Sequence, residues 1–297
     1  MDERIKGIVV AMVTPFKSDE SLDEEGLRQV VRFLLDRRVH GLFPGGSQGE
    51  FYALSTAERC RVLEITVEAA KGKAFVVGHV GATTCREATY LARHAQEVGA
   101  DAIAAITPYF ITPSQDELYG YYVELASCVD LPVFAYDNPG RTGVHLTSKT
   151  VAHLAHKVPN FGGIKDSSGD LGKFAEYIRL CPPNFRAFIG RDSLIYGALL
   201  YGGTGAVAAT ANVVPELAVG IYDAVAARDL EQARALQKQL APLRMAFSLG
   251  TFPTVVKEAM QILGLPAGRA RGPVQPLAPD DRDQLEKVLH QVGARGW

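Results

Sequence analysis

The feature that most restricts this chain is a repeated alternation. Short runs rich in Val, Ile, Phe and Ala are each followed by a longer segment with helical spacing of its apolar residues. A strand that is apolar throughout needs cover on both faces, and parallel neighbours need a crossover of a dozen or more residues, so this pattern is that of repeated βα units. Eight such units can be read, with strands at 7–14, 40–44, 74–80, 102–107, 132–136, 161–165, 185–190 and 205–209. The helices between them are 10 to 17 residues long by apolar spacing, as at 24–38, 56–71, 86–98 and 115–127. Two carry start signals, Ser21 with Glu24 and Ser55 with Glu58, in the hydroxyl-to-carboxylate spacing of a capping box.

Eight βα units predict an α/β fold of the (β/α)8 TIM-barrel type. A doubly wound nucleotide fold carries a glycine fingerprint in its first βα turn, whereas that turn here is Thr14-Pro15-Phe16-Lys17, and no GxGxxG follows any strand. Past Pro215 the strand signals stop, and 216–227, 230–247, 253–263 and 280–292 all read as helix. The expected organisation is a barrel over 1–227 that carries the active site, and a C-terminal helical region over 228–297.

Composition narrows the function. Thirty-one Lys and Arg against 33 Asp and Glu leave a net charge of -2, the wrong sign for a nucleic-acid partner. Cys60, Cys85, Cys128 and Cys181 form no CxxC pair, which points to a reducing cytoplasm with neither zinc nor disulfides. The start MDERIKGIVVAMVTPF lacks the basic opening and cleavage site of a signal peptide, and no uncharged apolar run reaches about 18 residues, so no membrane is expected.

Barrel chemistry collects where strands end. Lys165 closes the run Phe161-Gly162-Gly163-Ile164, so it should point into a partly desolvated mouth, where burial lowers an amine pKa and frees it to attack a ketone. Tyr136 ends the neighbouring strand and can bring a phenol to that amine for proton transfer. Ser47, in a glycine-rich turn, can bind a carboxylate or relay a proton, and Arg141, five residues past Tyr136, suits a bidentate carboxylate pair. His153 and His156 are three apart on an outer helix with no third ligand in view, so no metal is expected.

At these residues the chain resembles the pyruvate-dependent class I aldolases, the family of dihydrodipicolinate synthase and N-acetylneuraminate lyase. The resemblance is carried by VTPF, GxxGE over 46–50, TPY over 107–109, PSQ over 113–115, YxxPxRTG over 136–143, GIKD over 163–166 and the glycine-rich 202–213. It implies a Schiff base between Lys165 and pyruvate, Tyr136 as the adjacent acid and base, Ser47 in a proton relay and Gln48 at the pyruvate carboxylate. Gly190 and Val207 match positions whose carbonyls face substrate, Arg141 matches the arginine that binds the aldehyde's carboxylate, and Tyr109, Phe110 and Arg191 fall at substrate-facing positions. No other cofactor is implied. The partners implied are small 2-oxo acids and aldehydes, and a homotetramer built as a dimer of dimers.

The chain departs from the pattern at three places. Phe110 stands where the second tyrosine of PYY reaches the neighbouring subunit's relay, and Ser47-Gln48 replaces a threonine pair. Thr56, Arg59 and Thr83 replace the residues that bind feedback lysine in some members, so no lysine inhibition is expected. The expected reaction is condensation of pyruvate with a carboxylate-bearing aldehyde. The alternatives are an aldolase or dehydratase for a 2-keto-3-deoxy sugar acid, or a weakly catalytic 2-oxo-acid-binding protein.

Overall fold

The computed structural model describes residues 2–296. The first strand, β1 (Gly7–Ala11), is followed by α1 (Glu24–Asp36), β2 (Gly41–Phe43), α2 (Thr56–Ala70), β3 (Phe75–His79), α3 (Cys85–Glu97), β4 (Ala102–Ile106) and α4 (Gln115–Ser127). The chain continues through β5 (Val133–Asp137), α5 (Pro139–Thr142), α6 (Ser148–Lys157), β6 (Phe161–Asp166), α7 (Leu171–Leu180), β7 (Arg186–Ile189), α8 (Ile195–Leu200) and β8 (Gly205–Ala208). All strand pairs are parallel and β8 returns to β1, so the sheet closes into the predicted (β/α)8 barrel. Four more helices follow: α9 (Pro215–Ala226), α10 (Leu230–Ala246), α11 (Thr254–Ile262) and α12 (Pro279–Val292).

The period-two alternation of a strand sorts the apolar residues into two cores. Val9, Phe43, Phe75, Val77, Ala104, Phe134, Phe188 and Val207 fill the barrel interior. Residues between them in sequence, such as Ile8, Val10, Leu42, Ile103, Ala135 and Ile164, pack outward against the helices. The interior below the strand ends is apolar and nearly filled, with a void of about 20 Å³ beneath Lys165, so polar chemistry is confined to the upper layer.

Local chemistry moves several predicted boundaries. Strand β1 stops at Ala11 because the next residues leave the ladder, with the Val13 amide donating to the Asn212 side chain at 3.2 Å. Strand β5 starts at Val133, since Pro132 has no N–H to give, and both β5 and β6 run one residue further than expected, pairing Asp137 with Asp166. The box predicted for Ser21 and Glu24 does not form. Helix α1 begins at Glu24, so Asp23 caps it by accepting from the Gly26 amide at 2.9 Å, while Ser21 bonds to Asp19. At α2 the predicted Ser55 and Glu58 box forms in both directions, a motif that stabilises a helix by about 1 kcal/mol. The short α5 carries no helical periodicity and was not foreseen. Among the described residues no helix is long and apolar enough to cross a membrane.

Candidate active site

Strand alternation decides which side chains meet at the open end. Tyr136 and Lys165 are register partners on β5 and β6 and both point inward; their successors, Asp137 and Asp166, are also paired and lie behind them. Asp137 is fully buried there, accepting from Lys173 at 2.5 Å and from the Leu146 amide at 3.2 Å, which anchors the end of β5 from outside.

Lys165 is 5% exposed, with its ammonium 3.9 Å from the Tyr136 ring centre and 4.3 Å from that of Phe43. Burial pulls its pKa below the ordinary lysine value, more strongly than the Tyr136 phenol and Asp192 hold it up. Burial alone would raise the Tyr136 phenol, but the Lys165 charge and the hydrogen bonds around its oxygen outweigh it and bring the pKa below the usual range. Those bonds come from Asn138, whose Nδ2 donates at 3.0 Å, and from Ser47, whose Oγ lies 3.2 Å away. Amine and phenol thus sit side by side, each with its pKa drawn below the ordinary value, which favours proton exchange between them.

The turn after β2 delivers Ser47. Gly45 has φ +60°, a left-handed conformation that glycine takes without penalty, and Glu50 closes the turn at φ +57°. Glu50 is held there by a buried ion pair with Lys257 of α11 at 2.5 Å and by the Arg271 amide at 2.9 Å. Gln48 is 2% exposed, lines the cavity, and has no hydrogen-bond partner on either amide atom among the described residues. On the far side, a Cβ at Gly190 would lie 2.0 Å from Ser167 Oγ and 3.2 Å from the Asp166 carbonyl, so a larger residue there would push the serine hydroxyl aside. Asp192 is buried, accepting from the amides of Ala209 at 3.1 Å and Thr210 at 3.0 Å; burial raises its carboxyl above the usual range.

One cavity of about 310 Å³ brings together Lys165, Tyr136, Ser47, Gln48, Arg141, Gly190, Arg191 and Val207. Two expected members are elsewhere. Tyr109 is half-buried with its ring against Phe51, and Phe110, with φ +78°, is 98% exposed; neither lines the cavity. The sequence reading missed Asn138, Arg244, Phe247, Ser248 and Phe252, all of which line the cavity. Asn138 stands two residues beyond Tyr136 and was within reach of sequence reasoning; the other four come from α10 and the segment after it, with no local signal.

Other candidates lie apart. His153 stacks on Tyr119 at 4.7 Å and His156 Nε2 bonds to the Leu180 carbonyl at 3.0 Å. Among the described residues no group of three metal-ligating side chains occurs. Arg59 is buried, donating to the carbonyls of His79 at 3.2 Å and Gly81 at 2.9 Å, and Thr56 donates to Glu87 at 3.2 Å.

A closed (β/α)8 barrel with a desolvated lysine near the end of β6 and a phenol beside it on β5 defines a class, the aldolases that work through a lysine Schiff base. The chain belongs to the dihydrodipicolinate synthetase family, whose model matches residues 4–292. Members of this family are lyases that act through a lysine–pyruvate Schiff base. A 4-hydroxy-tetrahydrodipicolinate synthase of Methanopyrus kandleri is 38% identical, over 99% of this chain and 98% of that protein. Among solved structures, a chloride-inhibited dihydrodipicolinate synthase from Acinetobacter baumannii, complexed with pyruvate, is 32% identical with a TM-score of 0.94, over 97% of this chain and 99% of its own. YagE, an E. coli K12 prophage protein of the same family, also in complex with pyruvate, gives the same identity, TM-score and coverage.

Proposed function

We propose that this chain is a 4-hydroxy-tetrahydrodipicolinate synthase-like enzyme that condenses pyruvate with a carboxylate-bearing aldehyde. The observation that carries the reading is the buried Lys165 amine against the Tyr136 ring, with its pKa drawn down by burial. The neutral amine attacks C2 of pyruvate, and Tyr136 passes a proton to the departing hydroxyl as the carbinolamine loses water. Pyruvate's carboxylate lies on the turn, with Gln48 and Ser47 as donors. Loss of a C3 proton turns the iminium into an enamine, which attacks the aldehyde carbon. The new alkoxide takes up a proton, and water then hydrolyses the imine to release product and free Lys165. Arg141 holds the aldehyde's carboxylate, Arg191 adds positive charge beside it, and the Gly190 and Val207 carbonyls border the reacting carbons. The lysine itself activates the carbonyl, so no metal or organic cofactor is required.

The same reading assigns residues 1–227 to the catalytic barrel and 228–297 to a helical region that completes its mouth. It places the enzyme in the cytoplasm, consistent with four free cysteines, and makes it a homotetramer. The exposed Phe110 on a left-handed backbone supports a subunit contact at the β4–α4 loop. Proton exchange tests the chemistry. In deuterium oxide the wild type should wash out the pyruvate methyl protons in the NMR spectrum and Lys165→Ala should not; washout at equal rates in both would remove the enamine.

A further inference from the structure

The guanidinium groups of Arg141 and Arg244 have no hydrogen-bond acceptor and no ion-pair partner among the described residues, although both line the cavity above Lys165. They are held there by aromatic rings, Arg141 over Phe252 at 3.7 Å and Arg244 beside Phe247 at 5.0 Å. Arg191 lines the same wall, with its Nε donating to the Ser167 carbonyl at 3.0 Å and its terminal nitrogens without acceptors among the described residues. The largest electrostatic influences on Arg141 come from the phenols of Tyr136 and Tyr52 and from Arg191 and Arg244, with no carboxylate among them. Among the described residues the one acid in the wall is Asp192, which is buried with both oxygens engaged by backbone amides; Arg244 attracts it from a distance without forming an ion pair.

Three like charges around one small cavity repel one another and are not arranged to stabilise the fold. A guanidinium stacked on a ring keeps its N–H fork free and oriented, the state suited to a planar anion. The pyruvate carboxylate does not account for them, because in the reading above it lies at Ser47 and Gln48. We infer that the second substrate carries two anionic groups, one bound by Arg141 and the other by Arg244, with Arg191 adding charge to the same wall. The class is a dicarboxylate, or a carboxylate with a phosphate, joined by a short chain that bears the reacting carbonyl. Arg244 is thereby a specificity residue contributed by the C-terminal helical region.

This inference rests on the proposed Schiff-base reading, and the test keeps the two apart. The enzyme is first reduced with borohydride in the presence of pyruvate, so that the lysine subsite is filled permanently. Calorimetric titrations then compare glutarate and 3-phosphonopropionate, both with two anionic groups, against butyrate, with one, and 4-aminobutyrate, a zwitterion. The dianions should bind about 10- to 100-fold more tightly than butyrate, the range expected for one added charge-assisted interaction. Arg244→Gln and Arg141→Gln, each checked for an unchanged melting temperature, should bring them to the butyrate level. The phosphonate and the dicarboxylate distinguish which second anion is preferred. Equal binding of dianion and butyrate, or a dianion preference that survives Arg244→Gln, would overturn the inference. If no pyruvate adduct forms, the Schiff-base reading fails instead, and the same titrations on untreated enzyme still decide whether the arginines select dianions.

Discussion

Ser47 Oγ lies 3.2 Å from the Tyr136 hydroxyl, so a residue of the β2 turn meets one near the end of β5 whose ring lies 3.9 Å from the Lys165 amine. With Asn138 donating to the same oxygen from the other side, the phenol is oriented and its conjugate base stabilised. Replacing Tyr136 by Phe removes the proton carrier and leaves the amine in place. Turnover should fall by about 10²- to 10⁴-fold, the usual worth of a positioned acid or base, while the pyruvate adduct still accumulates slowly. Single-turnover kinetics check this, and a rate within a few-fold of wild type would contradict it.

Schiff-base formation should show an early rise with pH. Only the neutral amine attacks, and burial places the Lys165 pKa below the ordinary lysine value. The rate should therefore climb as pH rises through this lowered value and level off before an ordinary amine would. The group is coupled to Tyr136, so the midpoint belongs to the pair. A profile that keeps rising to the pKa of a free lysine would mean that the amine is not desolvated.

The pair of Glu50 and Lys257 ties the site turn to α11. Both side chains are 1% exposed, the Lys257 ammonium also bonds to the Arg269 carbonyl at 2.9 Å, and it lies over the Phe16 ring. Lys257→Met leaves a buried carboxylate without its counter-charge and should cost about 3–5 kcal/mol. The double change of Glu50→Gln with Lys257→Met should recover most of that, because no charge remains buried. Chemical denaturation of the three variants checks it; equal losses in single and double variants would contradict the electrostatic account.

Phe110 is 98% exposed with a left-handed backbone, and a large apolar side chain held this way is expected to be covered by a second copy. If the proposed homotetramer uses this loop, Phe110→Asp should lower its sedimentation mass to that of dimers or monomers. An unchanged mass would put the interface elsewhere.

Much of this was legible in the chain because period carries fold. All eight strands were readable as apolar runs, and Lys165 and Tyr136 were placed at their ends by position alone. Asp23 displaced Ser21 as the cap because the helix starts three residues after the serine, a shift that cap spacing does not reveal. The position of Phe110 depends on a single φ angle, for which phenylalanine gives no warning. Arg244 meets Arg141 across the second half of the barrel, and helical periodicity says only that it is off the apolar face. The lysine, the phenol, Arg141 and Arg191 were therefore readable from the strand ends, whereas Arg244, on a helix outside the barrel, was not.

Intact mass after borohydride reduction reads imine formation between Lys165 and pyruvate. Wild-type protein treated with pyruvate should gain the mass of one reduced pyruvyl group per chain, and Lys165→Ala should gain none. An unmodified wild type with its fold intact, or an equal adduct on the alanine variant, would contradict the account.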